Sequence, residues 1–251
     1  MRLLYLMVDE VRPSPERAVR RIYQGQQAMP EKWIFLVESI QIGPPYYEEN
    51  AVGHALAAPG IIHAVLRHQK DCDAILIACF SDPVVEAARA VSEVPVIGPG
   101  EASLVMTQLV ARRFGIITIL DSTVPEVEAL TVRLGLVNRC VGIEVMDTGV
   151  TEIYPNVDAT AEKLVRAGKR LVEKGADAIV LGCMSFGFHP FADRIREALG
   201  VEVIDPLRAS IAALQATQTL GTRLGAPAPV LARPDSLAIF MEQLENEFVP
   251  L

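Results

Sequence analysis

An internal repeat constrains the fold of this chain more than any other feature of its sequence. The segment DAILIAC at 73–79 matches DAIVLGC at 177–183 at four of seven positions, and VPVIGPGEAS at 94–103 matches VEVIDPLRAS at 201–210 at six of ten. The order is the same in both halves, with offsets of 104 and 107 residues. Such self-similarity indicates a duplicated structural unit. We therefore expect two pseudo-equivalent domains.

Short apolar runs alternate along the chain with longer segments of helical periodicity. The runs are rich in Val, Ile and Leu, which is typical of parallel strands buried on both faces. Strands are predicted near 2–8, 32–39, 74–79, 94–97, 114–120, 140–146, 178–182 and 201–204. With helices between them, the predicted fold class is α/β, and each domain is expected to hold a four-stranded parallel sheet flanked by helices.

The repeat also predicts where the domains begin and end. Residues 1–103 are expected to form the first α/β domain and residues 104–207 the second. The C-terminal segment 208–251 is expected to pack back on the first domain. Its prolines predict an extended arm followed by a short helix, and such an arm can also contact a second copy of the chain.

Three helix starts are marked by a proline beside a capping residue. Ser14–Pro15, Asp82–Pro83 and Thr123–Pro125 each precede a segment of helical periodicity. Proline is favoured in the first turn of a helix, and Ser, Thr and Asp are favoured as caps. The second of these helices is therefore expected to begin at Pro83, with Ser81 and Asp82 as its caps.

Charge and hydropathy restrict the class of partner. The net charge is −8, and Lys and Arg are scattered instead of lying along one face, which argues against nucleic acid. No run of about 18 uncharged apolar residues predicts a membrane span. The N-terminus meets Asp9 and Glu10 where a signal peptide needs small residues, so a cytoplasmic protein is expected. A small molecule is the expected partner.

The chain has four cysteines, Cys72, Cys79, Cys140 and Cys183, which form no C-x-x-C pair and no cluster with histidine. We therefore predict neither a metal site nor a disulfide framework, and we expect reduced thiols. Cys72 and Cys140 are interpreted as small core residues.

Cys79 and Cys183 stand out because they occupy the same position of the repeat. Each is expected where a buried strand leads into a helix, which is where open parallel sheets bind ligands. The N–H groups and dipole of such a helix stabilise a thiolate. Two thiols on opposite sides of a ligand would act as general base and general acid. The pattern thus predicts inversion at carbon without a cofactor.

An enolate formed in such a reaction needs hydrogen-bond donors at its oxygen. The candidates are the main-chain N–H groups that follow each cysteine, in Phe80 and Met184, and the hydroxyls of Ser81, Thr118 and Ser185. All five residues are therefore predicted to bind the substrate.

The chain resembles the aspartate/glutamate/hydantoin racemase superfamily, and within it the hydantoin and allantoin racemase branch. The resemblance is carried by GPPYYE at 43–48, APGIIHAV at 58–65, ACFSDPVVEAAR at 78–89, PVIGPGEAS at 95–103, GADAIVLGC at 175–183 and VEVIDPLRAS at 201–210. It implies flavodoxin-like domains with the active site in the cleft between them, a cofactor-independent two-base mechanism and a homo-oligomer. The family's paired cysteines fall on Cys79 and Cys183, and its substrate-binding loop includes Asp9.

The chain departs from this branch at the end of its first strand. It carries Met7, Val8, Asp9 and Glu10 where the branch has Asn-Pro-Asn-Thr. The substrate therefore stays open between a hydantoin-type cyclic ureide, an amino acid and another small carbon acid. The alternatives are an isomerase or a decarboxylase on the same scaffold, or a non-catalytic two-lobed protein that binds a small molecule.

Overall fold

A computed structural model of the protein describes residues 1–8, 15–43, 49–222 and 234–248. Two four-stranded sheets are formed within these ranges. Their strands are β1 (Arg2–Met7), β2 (Ile34–Ser39), β3 (Ala74–Ile77), β4 (Val96–Ile97), β5 (Phe114–Thr118), β6 (Cys140–Val145), β7 (Ala178–Leu181) and β8 (Glu202–Ile204). The predicted strands are confirmed, each to within two residues at both ends.

Both sheets are parallel and have the same strand order, β2-β1-β3-β4 in the first and β6-β5-β7-β8 in the second. The strands β3, β5 and β7 are buried along their whole length. Strands covered on both faces carry continuous apolar runs, which is why the sequence identifies them. The α/β class and the two pseudo-equivalent sheets are confirmed.

Helices connect the strands of both sheets. Within the described residues they are α1 (Pro15–Ala28), α2 (Ala51–His68), α3 (Val85–Val91), α4 (Pro99–Val110), α5 (Val124–Arg133), α6 (Val150–Ile153), α7 (Val157–Glu173), α8 (Phe191–Leu199), α9 (Pro206–Thr219) and α10 (Pro234–Phe248). Short 3₁₀ segments lie at Asp121–Thr123, Val137–Arg139 and Met184–Phe188. None of the described helices is long and apolar enough to cross a membrane.

The chain divides into two compact units. The first unit comprises Met1–Ala78, Pro83–Ile97 and Ala216–Leu251, and the second comprises Cys79–Asp82 and Gly98–Gln215. The turn that carries Cys79 therefore belongs to the second unit, although it follows a strand of the first sheet. In the second unit, α4 packs against β7 and β8.

The expected domain boundaries, 103/104 and 207/208, differ from the borders of these units. Both expected boundaries fall inside helices, in α4 and in α9. The reason is that each repeated segment begins in a strand and runs on into the following helix, so the end of the sequence match does not mark the end of a unit.

The helix expected to begin at Pro83 begins two residues later. The N-cap of α3 is Val84, which has a left-handed φ of 50° and makes no side-chain cap hydrogen bond. Asp82 is left-handed as well, with a φ of 54°. The backbone therefore turns through a region that is incompatible with a right-handed helix before α3 can form. The prediction that Ser81 and Asp82 cap this helix is wrong.

The other two predicted helix starts hold. Pro15 is the first residue of α1, and Pro125 lies in the first turn of α5. Ser14 lies outside the described residues, and so does 223–233, which contains most of the predicted extended arm. The helix expected after that arm corresponds to α10.

Candidate active site

All four cysteines are thiols, and two of them have core environments. Cys72 donates its Sγ–H to the carbonyl of His68 at 3.4 Å, and Cys140 donates to the carbonyl of Gly142 at 3.6 Å. Burial raises the pKa of Cys72 to about 11 and also raises the pKa of Cys140. Both thiols are thereby held protonated, as expected of structural residues.

Cys79 and Cys183 lie in turns that share the same main-chain hydrogen bonds. The N–H three residues later, in Asp82 and Phe186 respectively, donates to the cysteine carbonyl at 3.1 Å in both turns. The residue before each cysteine donates to the neighbouring strand, β1 or β5, at 2.9 and 2.8 Å. The repeat therefore extends to backbone geometry, and the two cysteines occupy equivalent positions relative to their preceding strands.

Each cysteine lies two residues beyond the carboxyl end of a central strand, β3 or β7. This edge of a parallel sheet is where ligands bind. An α-helix does not follow directly: the turn after Cys79 reaches α3 only at Val85, and Cys183 is the N-cap of a five-residue 3₁₀ segment. The thiolate stabilisation expected from an adjoining helix therefore depends on the main-chain N–H groups of the turns.

Phe80 anchors the first cysteine turn in the core of the second unit. Its side chain is 3% exposed and packs with Leu104, Phe114 and Leu130. The aromatic ring is thus occupied by core contacts. The main-chain N–H groups of Phe80 and Ser81 donate to no acceptor within the described part of the chain. These two adjacent N–H groups stay candidate donors for a ligand oxygen.

The carboxylate of Asp82 caps α4. It is 3% exposed, and it accepts the N–H of Gly100 at 2.9 Å through Oδ1 and the N–H of Glu101 at 2.6 Å through Oδ2. Burial raises the pKa of Asp82 to about 7, although both hydrogen bonds act in the opposite direction. The N-cap residue itself is Gly98, which has no side chain. A side chain of the cysteine turn therefore performs the capping role.

Two glycines make room for this contact. A Cβ at Gly98 would lie 2.5 Å from Cγ of Asp82, and a Cβ at Gly100 would overlap the carbonyl oxygen of Phe80. Neither glycine has a left-handed φ. Close approach of the cysteine turn, not backbone conformation, is what requires glycine at both positions.

The second half caps the corresponding helix in another way. Asp205 immediately precedes α9, and its Oδ1 accepts the N–H groups of Leu207 at 2.9 Å and Arg208 at 3.0 Å. In the repeat, Asp205 corresponds to Gly98, and the two N–H groups correspond to those that bind Asp82. The sequence shows Gly98 where the second half has Asp205. This difference could have indicated that the two helices are capped in different ways, but it was not used in the prediction.

Thr118 ends β5 and is fully buried. Its Oγ1 lies 2.6 Å from Oγ1 of Thr123, and Thr123 donates to the carbonyl of Leu120 at 2.8 Å. Because the Thr123 proton is directed to that carbonyl, the Thr118 proton lies in the bond between the two hydroxyls. The predicted donation from Thr118 to a substrate stays a prediction, and it requires this bond to open.

Met184 and Ser185 are buried in the 3₁₀ segment that follows Cys183. Tyr154 donates its hydroxyl to the carbonyl of Ser185 at 3.5 Å, and its ring centroid lies 5.1 Å from that of His189. An aromatic group thus supports the second cysteine turn. Substrate contacts of Met184 and Ser185 stay predictions.

Asp9, the remaining candidate, lies outside the described residues. Among the residues that the structure does describe, no group of three or more His, Cys, Asp and Glu side chains is arranged to hold a metal ion.

Comparison with known proteins gives matches over most of the chain. The sequence model of the family described as Asp/Glu/Hydantoin racemase matches residues 15–214. A hydantoin racemase from Pseudomonas sp. (strain NS671) is 34% identical over 180 residues, which cover 71% of this chain and 70% of that protein.

Two solved structures have a similar fold. An allantoin racemase from Pseudomonas fluorescens superposes with a TM-score of 0.81 at 23% identity, over 93% of this chain and 99% of that one. An allantoin racemase from Klebsiella pneumoniae superposes with a TM-score of 0.75 at 26% identity, over 94% and 98% of the two chains. The two-sheet architecture described above is therefore shared with these enzymes.

Proposed function

This chain belongs to the Asp/Glu/Hydantoin racemase family and is therefore an isomerase, and we propose that it racemises a hydantoin-type cyclic ureide without a cofactor, with Cys79 and Cys183 as the two acid/base groups. The observation that carries the proposal is the equivalence of the two cysteine turns, which share both sequence position and main-chain hydrogen bonds. The substrate class is inferred from the relatives that the chain is similar to.

The chemistry needs one proton to leave and another to arrive. One thiolate removes the α-proton from one face of the ring, so that the C–H bond breaks, an S–H bond forms and the electron pair moves to the carbonyl oxygen. The opposite thiol then protonates the carbon from the other face and becomes the thiolate. The reverse reaction starts from that second state with the roles exchanged.

The enolate oxygen must be stabilised while the carbon is planar. The N–H groups of Phe80 and Ser81 are adjacent donors at the end of β3, and main-chain donors of this kind are preorganised by the turn that holds them. We propose that they bind the enolate oxygen, with hydroxyl contacts from Ser185 or Thr118 on the other side of the site.

The test is proton exchange during inversion in deuterium oxide. An enantiopure 5-substituted hydantoin should lose optical activity and take up one deuterium at the α-carbon. In Cys79→Ser and Cys183→Ser, inversion should fall by about 10²- to 10⁴-fold, the range typical of a lost general acid or base. Each variant should still exchange the α-proton of one enantiomer, and the two variants should differ in which enantiomer that is, because each keeps a thiol on one face.

Cys72→Ser and Cys140→Ser serve as controls and should racemise like the unmodified protein, because both thiols donate to main-chain carbonyls. Full inversion by both active-site variants would exclude the two-thiol mechanism. Saturable binding of hydantoins without exchange would identify a binding protein instead, and release of carbon dioxide from a malonate-type acid would identify a decarboxylase.

A further inference from the structure

We propose that Asp82 is a positioning residue for Cys79: by binding the two N–H groups at the start of α4, its carboxylate holds the turn that carries the thiol in one conformation. The catalytic consequence of this role rests on the function proposed above. The positioning itself can be measured on the thiol without any substrate.

The contacts of Asp82 tie both ends of the cysteine turn. Its main-chain N–H donates to the carbonyl of Cys79 at 3.1 Å, which closes the turn. Its buried carboxylate binds Gly100 and Glu101 at 2.9 and 2.6 Å, which joins the turn to α4. A residue with these bonds at both ends couples the position of the thiol to the position of the helix.

The backbone of Asp82 makes this arrangement specific. Its φ of 54° lies in the left-handed region, which Asp adopts more readily than most residues. Gly98 and Gly100 leave open the space that the carboxylate and the Phe80 carbonyl occupy. The side chain, the left-handed backbone and two distant glycines are thus all adapted to one docked turn.

The second half shows that capping alone does not require this arrangement. There, Asp205 caps α9 from the position that corresponds to Gly98, and Phe186 stands where Asp82 stands in the first half. A helix cap placed on the N-cap residue would be sufficient for stability. When the capping side chain is instead that of Asp82, the cysteine turn is also fixed to α4.

The experiment moves the cap from the turn to the helix. Asp82→Ala should lower the melting temperature, lower kcat for racemisation about 10- to 100-fold with little change in KM, and raise the rate of Cys79 alkylation by iodoacetamide about threefold or more. A looser turn gives the reagent better access to the thiol, and the loss of the Asp82 carboxylate removes a negative charge that disfavours the thiolate. Cys183, read by peptide mass spectrometry in the same sample, should react at an unchanged rate.

The double variant Asp82→Ala/Gly98→Asp recreates the arrangement of the second half. Gly98 has an ordinary φ of −95°, and the three atoms nearest to a Cβ there belong to the Asp82 carboxylate, so Asp82→Ala removes the closest contacts that a side chain at 98 would meet. We expect the melting temperature to recover while kcat and Cys79 alkylation stay altered. Recovery of all three would show that Asp82 is only a helix cap and would overturn the proposal.

Further variants keep the outcome decisive. Asp82→Asn retains the left-handed backbone and one acceptor oxygen, so it should fold and show intermediate effects if Asp82→Ala does not fold. Asp205→Ala removes a cap of the same kind and should lower stability without changing the alkylation of Cys79. Unchanged alkylation of Cys79 in all Asp82 variants would contradict positioning, whereas altered alkylation in a protein that racemises no hydantoin would contradict only the proposed function.

Discussion

At the scale of single residues, Asp82 concentrates more structural roles than any other residue of the first cysteine turn. It closes the turn, adopts a left-handed φ and caps a helix that begins 17 residues later in the sequence. The sequence indicated a capping residue here, and that chemistry was right. The prediction of which helix it caps was wrong. The local sequence pattern favours the next helix, α3, and only in the folded chain does α4 lie beside the carboxylate.

Stability should depend on the ionisation of Asp82. Its folded-state pKa is raised from 3.8 to about 7, chiefly by burial, which outweighs the lowering effect of the hydrogen bonds from the N–H groups of Glu101 and Gly100. Between these values the folded protein retains a proton that the unfolded chain has released. Stability contributed by the protonated carboxyl is therefore complete below the unfolded pKa and is lost as the pH rises through the folded pKa.

Urea denaturation of the unmodified protein and of Asp82→Asn should reveal this difference. Relative to the variant, the free energy of unfolding of the unmodified protein should fall between about pH 4 and pH 7 by up to about 1.4 kcal/mol per pH unit. Parallel pH dependences of the two proteins would show that Asp82 titrates normally.

At the scale of elements, the sequence at the start of α4 depends on the cysteine turn that packs against it. The GPG segment at 98–100 looks like a simple turn in the sequence, and its counterpart in the second half is DPL at 205–207. Leu207 takes the place of Gly100 in α9, and there the close approach is made possible by Gly187 of the segment after Cys183, where a Cβ would lie 2.8 Å from Cβ of Leu207. Two homologous elements therefore differ according to their tertiary neighbours.

Gly100→Ala should destabilise the protein by about 2 kcal/mol or more, because the new Cβ overlaps a main-chain oxygen that cannot rotate away. Gly149→Ala is the matched control, because Gly149 has a φ of −69° and the nearest atom to a Cβ there is 3.8 Å away. Ala is a weaker N-cap than Gly, so this variant should lose only about 1 kcal/mol or less of the free energy of unfolding. If thermal or urea denaturation gives the same loss of unfolding free energy for both variants, the cysteine turn does not pack tightly against α4.

At the scale of the whole molecule, the chain passes between its two compact units after residues 78, 82, 97 and 215. The four-residue excursion Cys79–Asp82 is the shortest of these segments, and Phe80 contributes to the core of the second unit. Both candidate cysteines therefore belong to the same unit. The expected homo-oligomer stays a prediction at this scale.

Phe80→Ala should weaken the second unit, although the residue follows a strand of the first sheet. Loss of a buried Phe costs about 3–5 kcal/mol. In hydrogen-exchange mass spectrometry, protection should fall in β5 and β7 more than in β1 and β3. Phe35→Ala, in β2 of the first unit, should give the opposite pattern. Loss of protection confined to the first sheet in Phe80→Ala would contradict the assignment of the turn to the second unit.

The sequence by itself determined the strands, the duplicated α/β architecture and the equivalence of Cys79 and Cys183. These follow from apolar periodicity and from repeated segments, which are local properties of a chain. Tertiary structure alone decided that the first cysteine turn joins the second unit, that Asp82 caps α4, and that Gly98 and Gly100 must lack side chains. Each of these depends on which distant group fills a given space, and no periodic pattern encodes that contact.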